Sequence, residues 1–303
     1  MVQEHYFMNL LDQTKYLIKK TGFQPNKLKG QNFCVNQLVI QKMVEIAQVS
    51  VRDTVLEVGP GFGFLTVELA QKAKKVIAVE LDSKLVKVLK KLEKVHQNLE
   101  IVEGNILRET RNPLCETRVS RSAFRVPRYK IVANLPYSIT SAFLKKFLTI
   151  ESPPQSMTLL VQKEVAERIC AKAGQMSLLA ISVQLYGQPE LIEVITRENF
   201  WPRPKVDSAI LRINQIQPYP FLKQVSEKKF WQVVRSGFSA KRKQLHNNFK
   251  NSLHLNSKQV DDIFSQTGLN KRIRAQELTV NDWLKLAKSY QETIIDDKKQ
   301  FLL

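Results

Sequence analysis

The feature that most constrains the fold is an alternation of two hydrophobic patterns along the first 210 residues. Short Val, Ile and Leu runs, each bounded by turn or polar residues, stand at 53–59, 75–82, 99–105 and 130–136, and "SMTLLVQK" and "DSAILRIN" share their character. Segments of helical spacing separate them, such as "FLTVELAQKA" and "SKLVKVLKKLEKV", the latter with Ser83 as its predicted N-cap. Strands that alternate with helices form βαβ units. The pattern predicts an α/β fold with a mostly parallel, doubly wound sheet.

The pattern changes after "QIQPYPFL", and from about residue 223 the chain has helical spacing. The predicted helices are "SEKKFWQVVRSGF", "SKQVDDIFSQTG" and "TVNDWLKLAKSYQET". Ser257 is the predicted N-cap of the second, and Thr279 with Asp282 forms a start like a capping box. We therefore predict two domains, a larger α/β domain at 1–218 and a small all-α domain at 219–303.

The charge of the chain is large and unevenly distributed. Forty-seven Lys and Arg against 28 acids leave a formal net charge of +19. Residues 228–258 carry eight Lys or Arg and no acid, and a second basic cluster lies at 108–130. Such an excess repels itself unless a polyanion is near, so nucleic acid is the expected partner. A generally lysine-rich proteome is the alternative, but clustering favours a phosphate-contacting surface.

Other features of the composition exclude several classes of protein. No apolar run approaches the ~18 residues of a membrane helix, and the N-terminus lacks the pattern of a signal peptide. Cys34, Cys115 and Cys170 are odd in number, widely spaced and without a C-x-x-C pair. This usage argues against a disulfide framework and a zinc site, and predicts a cytoplasmic protein with no metal.

A glycine-rich turn follows the first strand-like run in "LEVGPGFGFLT". Gly59, Gly61 and Gly63 allow a tight strand-to-helix turn against which a ligand can lie, although Phe64 replaces the third glycine of the dinucleotide fingerprint. Glu80 ends the next run, 21 residues after Gly59, where a carboxylate can accept hydrogen bonds from two ribose hydroxyls. The pair indicates a ligand that contains a nucleoside, either a nicotinamide cofactor or S-adenosylmethionine. A simple tight turn is the alternative.

Seven motifs then appear in a fixed order: "GQNF" at 30–33, "EVGPGFGFLT", "VELD" at 79–82, "NLPY" at 134–137, "QKEVAERI" at 162–169, "NFWPRPKVDSAI" at 199–210 and "RSGFSAKRKQLHNNFK" at 235–250. In this order the chain resembles the small-subunit rRNA adenine N6,N6-dimethyltransferases, the kasugamycin-sensitivity type, over roughly residues 12–288.

The resemblance implies a class I S-adenosylmethionine-dependent methyltransferase fold with a helical C-terminal domain. It implies transfer of two methyl groups to each of two adjacent adenines in a hairpin near the 3′ end of small-subunit rRNA, as a step of ribosome biogenesis. It places Glu80 at the cofactor ribose, Asn105 near its adenine and Asn134 at the methyl group. The expected cofactor-binding residues are Gln31, Asn32, Phe33, Gly59, Gly61, Glu80, Leu81, Asn105, Ile106 and Asn134. The family usually has Asp where this chain has Asn105, so we expect somewhat weaker cofactor binding.

The "NLPY" run supplies groups suited to methylating an exocyclic amine, whose lone pair is delocalised into the ring. The Asn134 side-chain oxygen and the Leu135 carbonyl can each accept one N–H, and Pro136 fixes φ. Tyr137 offers a ring on which a flipped adenine can stack. Phe200 is the candidate for the second face of the base. An ordinary strand-ending turn is the alternative for the motif, and a core aromatic is the alternative for Phe200.

The C-terminal basic segment supplies the candidate RNA contacts. Lys241, Arg242 and Lys243 can bind phosphates, and Arg235 lies shortly before them. A solvated helix end is the alternative. The expected partner is small-subunit rRNA or the pre-30S particle, bound by a monomer.

Other functions remain open from the sequence alone. A large-subunit rRNA methylase of the macrolide-resistance type is the nearest enzyme, but Leu135 and "RSGFSAKRKQLHNN" favour the small-subunit type. An assembly factor that binds RNA without methylating it and a relative of mitochondrial transcription factors are non-catalytic alternatives. A nicotinamide dehydrogenase would need a hydride-transfer acid or base, and the second half of the chain presents none.

Overall fold

The structure is a computed structural model that describes residues 8–26, 30–108, 128–218 and 225–300. Its chain divides into two compact units. The sheet unit comprises Met1–Ala166 and Gly187–Pro218, and the helical unit comprises Glu167–Tyr186 and Tyr219–Leu303.

A seven-stranded sheet forms the centre of the sheet unit. Its strands are β2 (Thr54–Val58), β3 (Lys75–Glu80), β4 (Leu99–Glu103), β5 (Tyr129–Asn134), β6 (Ser156–Gln162), β7 (Gln188–Ile195) and β9 (Ser208–Asn214). Their order is β4-β3-β2-β5-β6-β9-β7, in which β4 to β6 run parallel and β9 is antiparallel to both of its neighbours. The predicted α/β fold with a mostly parallel sheet is confirmed. A separate antiparallel pair joins β1 (Phe33–Cys34) to β8 (Phe200–Trp201).

Helices follow most of the parallel strands, because a parallel connection must cross over the sheet. They are α3 (Phe64–Lys72), α4 (Ser83–Glu93) and α5 (Thr140–Thr149), whereas α1 (Leu10–Thr21) and α2 (Gln37–Ile46) precede β2 and α6 (Lys163–Ile169) follows β6. The sheet residues beneath them are fully buried, among them Leu56, Val76 and Ile131. The N-cap of α4 was predicted one residue too late. The Asp82 carboxylate accepts the Lys84 N–H, so Asp82 rather than Ser83 caps the helix.

The helical unit contains the three helices predicted near the C-terminus. They are α8 (Glu227–Gly237), α10 (Ser257–Thr267) and α11 (Val280–Gln300), accompanied by α7 (Leu178–Gln184) and α9 (Leu245–Leu253). Thr279 and Asp282 form the predicted reciprocal cap. The predicted cap at Ser257 is wrong by one residue, because the Asn256 side chain accepts the Gln259 N–H and the Gln259 side chain accepts the Asn256 N–H.

Residues 167–186 group with the helical unit rather than with the sheet. The backbone N–H groups of Gly174 and Met176 both donate to the Gln276 carbonyl, and the Tyr186 hydroxyl donates to Glu227 Oε1 at 2.5 Å. The two units therefore differ in this segment from the proposed domains at 1–218 and 219–303.

The predictions about the cysteines and about the basic cluster at 108–130 fall partly on residues that the structure does not describe. Cys115 and four members of the arginine-rich cluster lie outside the described residues, whereas Arg108 and Arg128 are exposed. Within the described ranges, Cys34 and Cys170 are free thiols, and no helix is both long and apolar enough to cross a membrane.

Candidate functional site

The candidate site lies where β2, β3 and β5 end at the same edge of the sheet. β3 and β5 pair on either side of β2, so Glu80 and Asn134 end strands two positions apart, about 10 Å at the usual strand spacing. The glycine turn leaves the end of β2 between them. Parallel strands bring three segments together here that are distant in sequence.

The glycine turn packs closely against the segment that ends in Phe33. Gly61 has φ +62°, a backbone conformation that residues with a Cβ rarely adopt, and a Cβ there would lie 2.8 Å from Phe33 Cε1. Phe33 in turn packs against Phe62, with ring centroids 4.8 Å apart. The glycine turn and the "GQNF" segment therefore pack together and form one continuous surface.

Glu80 is held in place by the loop that it stabilises. Its carboxylate accepts hydrogen bonds from the N–H groups of Gly61, Leu81 and Asp82 at 3.2, 2.8 and 2.9 Å. Burial raises the pKa of Glu80, and these three hydrogen bonds oppose the rise. The side chain is therefore oriented before any ligand arrives, and the long bond from Gly61 is the one that a ribose hydroxyl would most readily replace.

A second buried acid, Glu57, was not singled out from the sequence. It lies in β2, is almost fully buried and lines a cavity together with Phe33, Cys34 and Asn134. Neither its Oε2 atom nor the adjacent Thr66 hydroxyl has a hydrogen-bond partner of normal geometry. Burial raises the pKa of Glu57 to about 8, with the charge of Glu80 adding to the rise and Thr66 opposing it. The signal available in the sequence was a lone carboxylate inside an apolar strand.

Asn134 ends β5 and lines the same cavity. Its Nδ2 donates to the backbone carbonyl of Asn32 at 3.0 Å. Because a carbonyl only accepts, this bond fixes which side of the amide carries the nitrogen. The Oδ1 atom receives no hydrogen bond from the described residues, so it remains available to an N–H from outside the protein.

The rest of the "NLPY" run is held by neighbouring strands. Leu135 is buried and its N–H donates to the Leu160 carbonyl on β6 at 3.2 Å. Pro136, at φ −55°, leads into a short 3₁₀ turn at Tyr137–Ile139. A hydrogen bond of 2.7 Å joins the Tyr137 hydroxyl to Ser208 on β9, and burial raises the pKa of Tyr137. The ring is thus half-buried with its polar end tethered.

The remaining predicted cofactor residues surround this edge with their own local bonds. Gln31 Oε1 accepts the Asn26 N–H at 2.8 Å, and Asn32 Nδ2 donates to the Gly30 carbonyl at 3.3 Å. Asn105 Oδ1 accepts the Leu107 N–H at 3.0 Å, so an adenine amine would have to share that oxygen. Ile106 is buried, whereas Leu81 is 56% exposed directly after Glu80.

Phe200 lies in the hydrophobic core. It is 3% exposed and pairs with Cys34 across the β1–β8 ribbon, within a cluster that includes Ile40 and Ile195. This position is that of a core aromatic, the alternative considered above. Contact with a flipped base would require the ring to be uncovered, and its stacking role stays a prediction.

The four predicted RNA contacts are exposed in the helical unit. Arg235 is in the last turn of α8, and Lys241, Arg242 and Lys243 lie in the turn before α9. Buried Asn248 holds this turn, because its Nδ2 donates to the carbonyls of Gly237 and Ala240 at 2.6 and 3.1 Å. The basic side chains therefore project from a backbone that is fixed from beneath.

Residues 22–292 match the family model described as "Ribosomal RNA adenine dimethylase". The chain belongs to this family. Its curated relatives include proteins named "Ribosomal RNA small subunit methyltransferase A". That of Dehalococcoides mccartyi (strain CBDB1) is 38% identical over 93% of this chain and 94% of its own length, and that of Clostridium botulinum (strain Kyoto / Type A2) is 35% identical over 90% and 97%.

Solved structures of similar proteins agree with the family assignment. A dimethyladenosine transferase from Plasmodium falciparum matches with a TM-score of 0.71 and 29% identity, over 85% of this chain and 97% of its own. The 23S rRNA methyltransferase ErmE matches with a TM-score of 0.67 and 26% identity, over 86% and 99%. The predicted class I methyltransferase fold is confirmed.

Members of this family use S-adenosylmethionine, and the residues present fit that group. Gly59 of the glycine turn lines a cavity together with Asn134, and Glu80, which ends the neighbouring strand, accepts the Gly61 N–H of the same turn. The unpartnered Glu57 oxygen in the adjacent cavity suits a cationic ligand. In this rRNA adenine dimethylase the described residues include no cluster of His, Cys, Asp or Glu that could hold a metal.

Proposed function

We propose that this chain transfers methyl groups from S-adenosylmethionine to the N6 amines of two adjacent adenines in the 3′-terminal hairpin of small-subunit rRNA. The observation that carries the proposal is the orientation of Asn134. Its nitrogen is bound to the Asn32 carbonyl, and its oxygen remains available beside the glycine turn. A hydrogen-bond acceptor fixed at that point is what an exocyclic amine requires.

The bound cofactor supplies a methyl group that is already activated as a sulfonium, so the protein's task is to orient the amine and exclude water. Asn134 Oδ1 accepts one N–H of the adenine, and the Leu135 carbonyl accepts the other. With both protons held, the lone pair of the nitrogen points away from the acceptors and towards the methyl group. The cofactor would supply the methyl group to this lone pair and keep the S–C bonding electrons, and the proton that the methylated amine loses would pass to solvent.

Glu80 and Glu57 have different roles in holding the cofactor. Glu80 accepts hydrogen bonds from the ribose hydroxyls, giving up the 3.2 Å bond from Gly61 where needed. Glu57 would hold the cationic end of the methionine portion, which would give its unpartnered oxygen a donor and lower its raised pKa by favouring the ionised form. Gln31, Asn32 and Phe33 contribute the surface that packs beside the glycine turn.

The rRNA substrate is bound by basic side chains and by the ring of Tyr137. Tyr137 stacks on the flipped adenine, with Phe200 as the candidate for the other face. Arg235, Lys241, Arg242 and Lys243 bind phosphates of the rRNA in the pre-30S particle. The protein acts as a cytoplasmic monomer whose catalytic domain is 1–218 and whose RNA-binding domain is 219–303.

A large-subunit target is the second candidate, because ErmE shares the fold. The small-subunit target is favoured by the two curated relatives described above, which cover nearly the whole chain. The test is transfer of a labelled methyl group to unmethylated small subunits, large subunits and naked rRNA from each. We expect label in small-subunit rRNA, at two adjacent adenines. Label only in large-subunit rRNA supports the second candidate, and binding without label in any of them overturns the enzymatic function.

A further inference from the structure

Helix α4 (Ser83–Glu93) carries a row of lysines on its solvent side. Lys84, Lys87 and Lys91 are exposed in the helix, and Lys94 is exposed at its C-cap. Spacings of three and four residues place these four side chains on one face. Leu85, Val86 and Leu89 are buried on the opposite face. From Lys84 to Lys94 the row extends about 15 Å at the usual helical rise. We call these four residues the α4 lysine row.

Several other lysines of the sheet unit pair with carboxylates, and among the described residues the row does not. Lys75 lies 3.0 Å from Glu100 and Lys130 lies 3.1 Å from Asp53, and Lys42 pairs with Glu193. Within the described ranges, no carboxylate pairs with the α4 lysine row. Lys84 Nζ donates only to the Gly22 carbonyl, at 3.0 Å.

The carboxylates closest along these helices are already engaged elsewhere. Asp82 caps α4, Glu93 lies 2.9 Å from Lys90, and Asp12 accepts from Asn9. The row is therefore an unneutralised positive strip, to which the neighbouring helix α1 (Leu10–Thr21) adds exposed Lys15 and Lys19. Leu17 and Ile18 of α1 pack in the same cluster as Leu85 and Val88 of α4, so the two helices lie together.

The strip is unfavourable for the isolated helix. Like charges three or four residues apart repel, and a lysine in the first turn opposes the helix dipole, which favours acids there. The first turn of α4 contains no acid. Lys91 and Lys94 are favoured by the dipole at the C-terminal end, and Asp82 caps the N-terminus, so the remaining cost is the mutual repulsion of the row, which a line of phosphates would remove.

The position of the row relates it to the candidate site. α4 begins three residues after Glu80, at the same edge of the sheet as Asn134. We propose that the α4 lysine row is a second RNA-binding surface, which contacts backbone phosphates of the rRNA that flanks the target adenines. The inference rests on the proposed rRNA substrate, but it assigns a phosphate contact to the sheet unit itself, separate from the basic turn of the helical unit.

The test compares two double variants that lose the same charge. Lys87→Ala with Lys91→Ala removes the centre of the row. Arg52→Ala with Lys74→Ala removes two exposed cations just before β2 and β3, at the amino edge of the sheet. Binding of unmethylated small-subunit rRNA is measured from low to high salt. Each lost phosphate contact lowers the slope of log affinity against log salt by about 0.7 to 0.9.

We expect the slope to fall by about 1.5 in the α4 variant and to stay unchanged in the amino-edge variant, with wild-type affinity for S-adenosylhomocysteine in both. Lys87→Arg with Lys91→Arg restores the slope. Equal slopes in the two Ala variants overturn the proposal, as does a loss seen with anionic phospholipid vesicles but not with RNA. If the Ala pair fails to fold, single Lys87→Gln and Lys91→Gln changes are each expected to cost about half of the slope.

The outcome is separable from that for the proposed function. Wild-type methyl transfer to small subunits with an unchanged slope in the α4 variant rejects this surface and leaves the enzymatic function standing. Absence of methyl transfer by the wild type rejects the function whatever the slope.

Discussion

The cofactor edge of the sheet and the basic turn of the helical unit hold their functional groups in opposite ways. At the cofactor edge two of the polar side chains are bound to backbone before a ligand arrives: Glu80 to three N–H groups and Asn134 to one carbonyl. In the basic turn, Lys241, Arg242 and Lys243 are exposed, and only the backbone beneath them is fixed, by Asn248.

The difference follows from what each ligand demands. Methyl transfer requires an amine in line with a breaking bond, so a displacement of about 1 Å is costly and the groups must be positioned in advance. Phosphate binding depends mainly on the number of charges, and mobile lysines provide it without a fixed geometry. A single substitution at the cofactor edge should therefore have a large, abrupt effect on cofactor binding or methyl transfer. Each substitution in the basic turn should lower rRNA affinity by a small, gradual step.

The largest effect is expected at Asn134. Asn134→Ala removes the only side-chain acceptor proposed for the amine, and we expect kcat to fall by about 1,000-fold or more, with rRNA binding within about two-fold of wild type. Methyl transfer and filter binding measure the two properties. Asn134→Asp is the matched control, because it keeps an acceptor oxygen but loses the donor to Asn32. Parallel loss of binding and transfer in Asn134→Ala would make its role structural.

A second abrupt effect is expected at Gly61. Gly61→Ala introduces a Cβ at 2.8 Å from Phe33 Cε1, and we expect the affinity for S-adenosylhomocysteine to fall by about 100-fold. Gly22 has almost the same φ, +61°, with nothing within 4 Å of its Cβ position. Gly22→Ala therefore carries a similar backbone strain of about 1 kcal/mol without the clash. Calorimetry on both variants separates the two causes, and equal affinities would show that the contact with Phe33 does not shape the pocket.

Much of this architecture was predictable because each element carries a local pattern. Thr279 with Asp282 formed the expected cap, and the strand runs ending in Glu80 and Asn134 lie in the sheet as predicted. The caps at Asp82 and Asn256 were missed by one residue, since an adjacent Ser offers the same chemistry and only backbone geometry selects between them. β7 (Gln188–Ile195) was not predicted, because it contains Pro189 and alternating acids rather than an apolar run.

The candidate site was less predictable where contacts between distant residues determine the position of a side chain. Nothing local indicates that Glu57 has an unpartnered oxygen, that Ser208 tethers Tyr137 or that Asn248 holds the basic turn. The hydrogen bonds of Tyr137 with Ser208 and of Asn248 with Gly237 join residues 71 and 11 positions apart. The burial of Phe200 likewise depends on the pairing of β8 with β1, two strands of two residues each.

A gradual effect is expected in the basic turn. Changing Lys241, Arg242 and Lys243 together to Ala should reduce the salt-dependence slope of rRNA binding by about 2, because up to three phosphate contacts are lost. Affinity near 0.15 M salt should fall by roughly 10- to 100-fold while cofactor affinity stays at the wild-type value. Lys241→Arg with Lys243→Arg keeps the charge and should behave as wild type. An unchanged slope in the triple variant removes these residues from the RNA surface.

The smallest effect is expected at Glu57, and it depends on pH. Its pKa of about 8 lies above the ordinary value near 4.5, so between those pH values the folded protein retains a proton that the unfolded chain releases. This contribution is fully present below pH 4.5 and is lost as pH rises through 8, so it makes wild-type stability fall with pH. Glu57→Gln has no such proton. We expect its unfolding free energy to gain about 1–2 kcal/mol on the wild type between pH 7 and pH 9, a few degrees in Tm. Exposed Glu45→Gln is the matched control. If the difference in unfolding free energy between Glu57→Gln and the wild type is constant with pH, Glu57 is ionised throughout. The cofactor edge would then hold a permanent charge, as the basic turn does. The two regions would differ in the sign of their charge and in their geometry rather than in burial.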